Sequence, residues 1–290
     1  MKIRWVQFIG IVSCFLCVIW LIGFGLAFTN YFYKGTTTVS QLDVVSDEEI
    51  FEEAEQGEFE INEHGNAEKG EINLENSETS FLVVALGDSL TVGMGDAEGK
   101  GYVGNVIDDL HERKIKDIHL ENLGVNGLTS NGLLEIVSQP DVEEQIKQAK
   151  LILLTIGGND LFQSGQTLIN VNREEIDLLE QAYLENIKQI FTQIRALNIE
   201  APIYLSGLYN PFIEFSESQI TSEIIVDWNY KTALEVGKYS KAIFVPTFDL
   251  FQLNVNDFLA EDRFHPNTNG YEQMALRIVS LLAWVGDDQS

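Results

Sequence analysis

The stretch FLVVALGDSLTVGMG, residues 81–95, decides the fold and raises the question of function. Residues 81–86 are uncharged and are followed by a Gly-Asp turn, then by Ser89, with more glycines close behind. A short continuous apolar run that ends in a turn is typical of a strand buried on both faces. We therefore expect the hydroxyl of Ser89 to stand immediately after a buried strand.

Apolar runs of strand length alternate with segments of helical period throughout residues 81–290. The predicted strands are 81–86, 118–124, 151–158, 202–209 and 242–248. The predicted helices lie near 101–114, 129–138, 173–197, 219–240 and 268–285. This alternation predicts an α/β fold, a three-layer sandwich with a mostly parallel five-stranded sheet between two layers of helices.

Charge and cysteine content exclude several classes of protein. The net charge of the 290 residues is −27, whereas a nucleic-acid-binding protein needs clustered Lys and Arg. We therefore expect no nucleic-acid partner. Cys14 and Cys17 are the only cysteines of the sequence and both lie in an N-terminal apolar run, so the rest of the chain has no disulfide, thiol nucleophile or thiolate ligand.

Residues 1–34 are expected to form a membrane anchor. The uncharged run 5–28 is longer than the ~20 residues that a helix needs to cross a bilayer, whereas the apolar core of a cleavable signal peptide has only ~7–15 residues. The sequence thus predicts a single-pass protein of the cell membrane, with the bulk of the chain outside the cytoplasm. Signal-peptide cleavage after Gly25-Leu26-Ala27, giving a secreted protein, and lipidation of Cys14 are the alternatives.

Residues 35–80 are expected to form a disordered acidic spacer. Between Asp43 and Glu78 the sequence has 14 Asp and Glu residues and one Lys. Such a segment cannot bury enough apolar surface to offset the entropy lost on ordering. The folded domain is therefore expected to comprise residues 81–290.

Four polar blocks lie where a parallel sheet would bring them together. The first three follow the first three strands and the fourth precedes the last helix: GDSLT (87–91), NLGVNG (122–127), GGND (157–160) and DRFHPN (262–267). Sites in such sheets collect at the carboxyl ends of the strands. The Gly-x-Ser-x-Gly turn of the common α/β-hydrolases is absent around Ser89.

These four blocks, in this order, resemble those of the SGNH, or GDSL, hydrolases, a group of serine esterases and lipases. The resemblance covers residues 81–290 and implies a flavodoxin-like sheet. It implies that Ser89 is the nucleophile, that Asp262 and His265 supply the acid and base, and that Gly127 and Asn159 donate to the oxyanion. Gly124 is the alternative oxyanion glycine, because the second block matches most loosely.

The chemistry of these residue types is consistent with the same roles. A serine at a helix N-terminus lies beside unpaired N–H groups, so the N–H of Ser89 can also stabilise an oxyanion. His265 can take and return a proton near neutral pH. Asp262 is close enough in sequence to hold the imidazole in one tautomer. Asp88 and Asp160 are expected to make turn and loop hydrogen bonds, and 92–101 to form a flexible rim of the cleft.

We therefore expect an extracytoplasmic serine esterase or lipase that acts on acyl esters of lipids or cell-surface glycans, as a monomer. An acyltransferase with the same triad is the first alternative. A metal-dependent phosphoesterase using Asp88, Asn159 and His265, and a non-catalytic surface-binding module, are the others. The expected mechanism uses no cofactor and no metal. Residues 161–172 and 210–220 are predicted to line the substrate pocket.

Overall fold

The computed structural model describes residues 71–72, 80–163, 172–215, 218–253 and 255–284. The predicted anchor (1–34) and nearly all of the predicted spacer (35–80) lie outside these ranges. Within them, no helix combines the length and the apolar character that crossing a membrane requires.

A five-stranded, wholly parallel sheet confirms the predicted fold class. Its strand order is β3-β2-β4-β5-β6. The strands are β2 (Phe81–Gly87), β3 (Ile118–Gly124), β4 (Leu151–Thr155), β5 (Ile203–Ser206) and β6 (Ala242–Val245). In the register of the sheet, Gly87 stands between Gly124 and Thr155, so the carboxyl ends of these three strands meet at one point.

Helices cover both faces of the sheet. The long ones are α2 (Gly101–Glu112), α3 (Ser130–Val137), α4 (Pro140–Gln148), α6 (Arg173–Leu197), α7 (Ser218–Val236) and α10 (Thr268–Leu281). The short ones are α1 (Ser89–Val92), α5 (Gly158–Phe162), α8 (Phe248–Gln252) and α9 (Val255–Phe258). Of the long helices, α4 was not predicted, although Pro140 at its first position is a typical start signal.

Alternate residues of the central strands pack into two separate cores, because successive side chains of a strand point to opposite faces of the sheet. Even-numbered residues of β2 and β4 pack against α3, α4, α6 and α7, and odd-numbered residues pack against α2 and α10. The first set includes Val84, Leu86, Ile152 and Leu154, and the second includes Val83, Ala85, Leu151 and Leu153. All eight side chains are fully buried.

Strand β3 is an edge of the sheet and is buried far less than the other strands. Residues 119–122 are exposed, including Leu120 with 38% of its surface accessible. Among the described residues β3 pairs with β2 alone. The apolar residues of this strand therefore contribute little to either core.

A second, two-stranded sheet joins the two ends of the described chain. Strand β1 (Glu71–Ile72) pairs in parallel with β7 (Ala283–Trp284). These pairings differ from two expectations, since β1 falls within the predicted spacer and the last helix ends at Leu281 instead of near 285. Both segments form strands because their pairing gives backbone N–H and C=O groups hydrogen-bond partners.

We predict that residues 80–290 fold without the preceding chain, because both apolar cores lie entirely between residues 81 and 282. Loss of the two-residue ladder at β1 should lower the melting temperature by only a few degrees relative to a chain of residues 65–290. Thermal unfolding of both chains by circular dichroism tests this. A short chain that lacks a cooperative transition would contradict it.

Candidate active site

Ser89 is the first residue of helix α1, directly beyond the buried strand β2. Asp88 caps this helix, since its Oδ1 accepts the N–H of Leu90 at 3.0 Å. The first N–H groups of a helix have no partner within it and carry a partial positive charge. The turn thus places the Ser89 side chain, which is almost buried, beside donors suited to an anion.

The turn before Ser89 requires a glycine. Gly87 has a φ of +142°, and a Cβ atom there would lie 2.1 Å from the carbonyl oxygen of Thr155. That same carbonyl accepts the N–H of Asp88 at 3.2 Å, and the carbonyl of Gly87 accepts the N–H of Val125 at 2.9 Å. The start of α1 is therefore held from both neighbouring strands.

Ser89, His265 and Asp262 form a continuous hydrogen-bonded series. Nε2 of His265 lies 2.8 Å from Oγ of Ser89, and Nδ1 lies 2.6 Å from Oδ2 of Asp262. A carboxylate accepts from Nδ1, so this arrangement places the ring proton on Nδ1 and leaves Nε2 to accept from the serine. The geometry suits transfer of a proton from Ser89 to His265.

The carboxylate of Asp262 is itself fixed by its own loop. Its Oδ1 accepts the N–H groups of Phe264 and His265 at 2.9 and 3.0 Å. Partial burial alone would raise the pKa of Asp262, but the hydrogen bonds from His265 and from these two N–H groups hold it below its ordinary value. Asp262 thus stays ionised beside the imidazole.

Asn267, the last residue of the fourth block, shapes the loop that carries His265. Its side-chain amide donates to the carbonyls of Asp257 and Leu259, and its Oδ1 accepts the N–H of Gly270 as the cap of α10. Within the loop, the N–H of Ala260 donates to the carbonyl of His265 at 2.8 Å. These bonds fix the backbone of the loop and thereby the position of His265.

Hydrogen bonds to Asp96 hold the glycine-rich segment 92–101, for which we expected a flexible rim of the cleft. The carboxylate of Asp96 accepts three backbone N–H groups and the hydroxyl of Thr268; the three N–H groups belong to Glu98, Lys100 and Gly101. The segment passes directly behind the histidine, because a Cβ at Gly95 would lie 2.9 Å from Cβ of His265 and 2.6 Å from the carbonyl of Pro266.

The side chain of Asn159 joins the third block to the residue that follows the second block. Its Nδ2 donates one hydrogen to the carbonyl of Leu128 at 2.8 Å and retains a second hydrogen for a ligand. Of the two candidate glycines, Gly124 already donates its N–H to Oδ1 of Asn122 at 3.0 Å. Gly127 has a φ of +76°, and among the described residues no acceptor pairs with its N–H. The geometry favours Gly127 over Gly124 as a donor to a ligand.

A contact that the sequence reasoning missed supports this segment. The carboxylate of Asp160 accepts the N–H of Ser130 at 3.0 Å and also its hydroxyl, and Asn186 donates to Ser130 Oγ at 2.9 Å. Burial raises the pKa of Asp160, and the bonds from Ser130 oppose that effect. Asn159 and Asp160 together therefore fix residues 128–130. A serine at a helix start gives no sequence signal that would single out Ser130.

A mostly apolar cavity opens beside Ser89. The predicted ranges 161–172 and 210–220 contribute Phe162 and Pro211 to it, while 164–171 and 216–217 lie outside the described residues. The sequence reasoning missed its other apolar walls, which are Leu90, Ile156, Leu208 and Phe264. The ring of Phe264 packs edge-on against Phe162 at 5.8 Å, so the histidine loop forms one wall of the cavity.

In the described part of the chain, no three His, Cys, Asp or Glu side chains lie close enough to hold a metal ion. The carboxylate of Asp88, a ligand in the phosphoesterase alternative, is bonded to Leu90 and Thr155. His111 and His119 are exposed on the surface, as expected.

Proteins similar to this chain include two lipases. The profile of the GDSL-like Lipase/Acylhydrolase family matches residues 85–273. Uncharacterized protein YpmR of Bacillus subtilis is 36% identical over 203 residues, covering 68% of this chain and 80% of YpmR. Spore germination lipase LipC of Bacillus licheniformis is 29% identical over 198 residues, covering 67% of this chain and 92% of LipC. The structure of lipase Lip_vut3 from a goat rumen metagenome superposes with a TM-score of 0.65 at 25% identity, covering 70% of this chain and 97% of the lipase.

We predict that Gly95→Ala moves His265 away from Ser89, because its Cβ would overlap the histidine loop and its φ of +92° disfavours a side chain. The rate at which phenylmethylsulfonyl fluoride modifies Ser89 should fall by about 10²-fold, the usual effect of a displacement near 1 Å. Gly99→Ala is the matched control, since Gly99 also has a positive φ, of +70°, but nothing lies within 4 Å of its Cβ position. Equal rates for the two variants would contradict the argument.

Proposed function

The chain belongs to the GDSL-like Lipase/Acylhydrolase family and is a carboxylic ester hydrolase, and from that premise we propose that it works through an acyl-enzyme on Ser89. The observation that carries the proposal is the series Ser89–His265–Asp262, with separations of 2.8 and 2.6 Å. Distances of this size allow proton transfer without rearrangement of the side chains.

In the first step, Oγ of Ser89 attacks the carbonyl carbon of the ester while Nε2 of His265 accepts the hydroxyl proton. Asp262 stabilises the imidazolium that forms, because its carboxylate already accepts from Nδ1. The tetrahedral intermediate then collapses, and His265 returns the proton to the leaving alcohol. The acyl group remains on Ser89.

The negative charge on the former carbonyl oxygen needs donors that are in place before the reaction. We assign the backbone N–H groups of Ser89 and Gly127 and the second Nδ2 hydrogen of Asn159 to this oxyanion hole. Support comes from the position of Ser89 at a helix start and from the bond that already orients the Asn159 amide towards residues 122–128. Asp160 positions that segment through Ser130.

Deacylation uses the same groups in reverse. Water takes the place of the alcohol and attacks the acyl carbon while Nε2 of His265 removes one of its protons. The second tetrahedral intermediate then collapses, the bond to Oγ of Ser89 breaks, and His265 returns the proton to Ser89. No step needs a metal or a cofactor. If a sugar or lipid hydroxyl outcompetes water at this stage, the same residues give an acyltransferase.

For the substrate we propose acyl esters of lipids or of cell-surface glycans, cleaved outside the cytoplasm by a monomer anchored through residues 1–34. The cavity beside Ser89 has apolar walls and a volume of about 30 Å³, which suits a small acyl group. The relative LipC is named a lipase, and the apolar run 5–28 supports the anchor. Hydrolysis of a nitrophenyl ester series by the chain 80–290 tests the acyl preference. Added alcohols that divert the acyl group from water would identify a transferase.

We predict that Ser89→Ala and His265→Ala each lower kcat by about 10⁴-fold or more, with the double variant little worse than either, because they act as one unit. Asp262→Asn should cost as much or somewhat less, by leaving the imidazole in the wrong tautomer. A fluorophosphonate probe should label wild type and fail on Ser89→Ala. Near-normal esterase activity in Ser89→Ala would overturn the mechanism.

We predict a different pattern for Asn159→Ala, which removes a donor that acts mainly in the transition state. The value of kcat should fall by about 10²–10³-fold with KM nearly unchanged. Asn131→Ala is the control, since Asn131 is an exposed asparagine whose side chain donates to Glu135. A rise in KM at constant kcat would instead assign Asn159 to ground-state binding.

A further inference from the structure

A chain of buried hydroxyl groups connects the interior of the domain to Asp88. The oxygen of Tyr102 lies 3.0 Å from Oγ1 of Thr91, which lies 2.7 Å from Oγ1 of Thr155. Oγ1 of Thr155 lies 2.9 Å from Oδ1 of Asp88, and Oγ1 of Thr91 lies 3.1 Å from the carbonyl oxygen of Leu86. Thr91 and Tyr102 are fully buried, and Asp88 and Thr155, at most 3% exposed, border the cavity beside Ser89.

These four oxygen-to-oxygen contacts need four hydrogens. The three hydroxyls, of Tyr102, Thr91 and Thr155, supply one each. If Asp88 is ionised, it and the carbonyl of Leu86 both only accept, so one contact holds two oxygens with no hydrogen between them. If Asp88 is protonated, it donates to Thr155, Thr155 donates to Thr91, Thr91 donates to the carbonyl of Leu86, and Tyr102 donates to Thr91. Every contact is then a hydrogen bond.

We propose that Asp88 binds a proton in the folded enzyme and, as a neutral carboxylic acid, acts as a positioning residue for Ser89. The link from Asp88 to catalysis rests on the proposed role of Ser89 as nucleophile. Both contacts involve Oδ1, which as the hydroxyl oxygen of the neutral acid donates its hydrogen to Thr155 on β4 and accepts the N–H of Leu90 on α1. It thereby ties the first turn of α1 to the neighbouring strand. Asp88 touches no reacting atom in this scheme.

The electrostatic surroundings agree with the proton count. The pKa of Asp88 is raised from 3.8 to about 6: burial is the largest cause and nearby Asp160 acts in the same direction, while the bonds from Leu90 and Thr155 and the charge of His265 lower it. Asp88 therefore carries its proton below about pH 6. Burial likewise raises the pKa of Tyr102, which therefore keeps the hydrogen that it donates. The titratable groups that interact with Asp88 are Tyr102, Asp160, Tyr183, Tyr209, His265 and Tyr271.

The matched pair Asp88→Asn and Asp88→Ala tests the positioning role. The bonds to Leu90 and Thr155 both involve Oδ1 of Asp88, and neither atom of an Asn amide can accept from Leu90 and also donate to Thr155. Asp88→Asn therefore keeps one of the two bonds, and its kcat, measured at about pH 5 where Asp88 carries its proton, should fall by about 10-fold. Asp88→Ala should lose about 10²-fold in kcat with little change in KM, because the start of α1 is released. Asp117→Asn, at an exposed aspartate beside the amino ends of β2 and β3, controls for the change in charge. If Asp88→Asn and Asp88→Ala had the same kcat, the bonds of Asp88 would not position Ser89 and the proposal would be wrong.

Two measurements test the proton itself, independently of activity. Infrared difference spectra against Asp88→Asn should show a protonated-carboxyl stretch that titrates near pH 6, also in a Ser89→Ala background. Because the folded pKa exceeds the unfolded value, the stability of wild type relative to Asp88→Asn should fall as pH rises from about 4 through about 6 and then level off. Titration in the ordinary range of aspartates would overturn the proposal, even if Ser89 proved to be the nucleophile.

Discussion

The contact between the backbones of Gly87 and Thr155 is the constraint on which the site depends. No side chain fits between them, since a Cβ at Gly87 would lie 2.1 Å from the carbonyl oxygen of Thr155. The chain can therefore turn sharply out of the sheet at this point, in a backbone conformation that glycine adopts at little cost. Ser89 is consequently presented at the sheet edge, between the loops that follow β3 and β4.

Three of the four blocks combine a residue assigned to the reaction with a neighbour that holds the backbone. Asp88 caps the helix that begins with Ser89, and Asp160 fixes the segment to which Asn159 donates. Asn267 does the same for His265 by bonding to the carbonyls of Asp257 and Leu259. This pairing explains why the blocks are longer than the reaction alone requires. Preorganisation of donors and charges is the largest single contribution to catalysis in such sites.

The sequence predicted the sheet well, because the buried strands are continuous apolar runs and the polar blocks follow them directly. The motifs and their spacing also predicted that Ser89, Asp262 and His265 lie close together. The sequence could not find Ser130 or the role of Gly95, because both depend on contacts between segments far apart in the chain. Helix α4 was missed because its nine residues carry only two buried apolar positions, Val142 and Ile146. Pattern recognition needs more turns than that.

Ser89 and His265, which exchange a proton in the proposed mechanism, stand 176 positions apart in the sequence, one near the start of the domain and one near its end. Almost the whole domain must therefore be synthesised before Ser89 can contact His265. A chain that ends before His265 has no base to activate the hydroxyl of Ser89. Long-range closure of this kind also slows folding, because the entropy of the intervening loop is lost before the contact forms. Appearance of esterase activity during refolding would thus report the last step of assembly, later than the formation of any single helix.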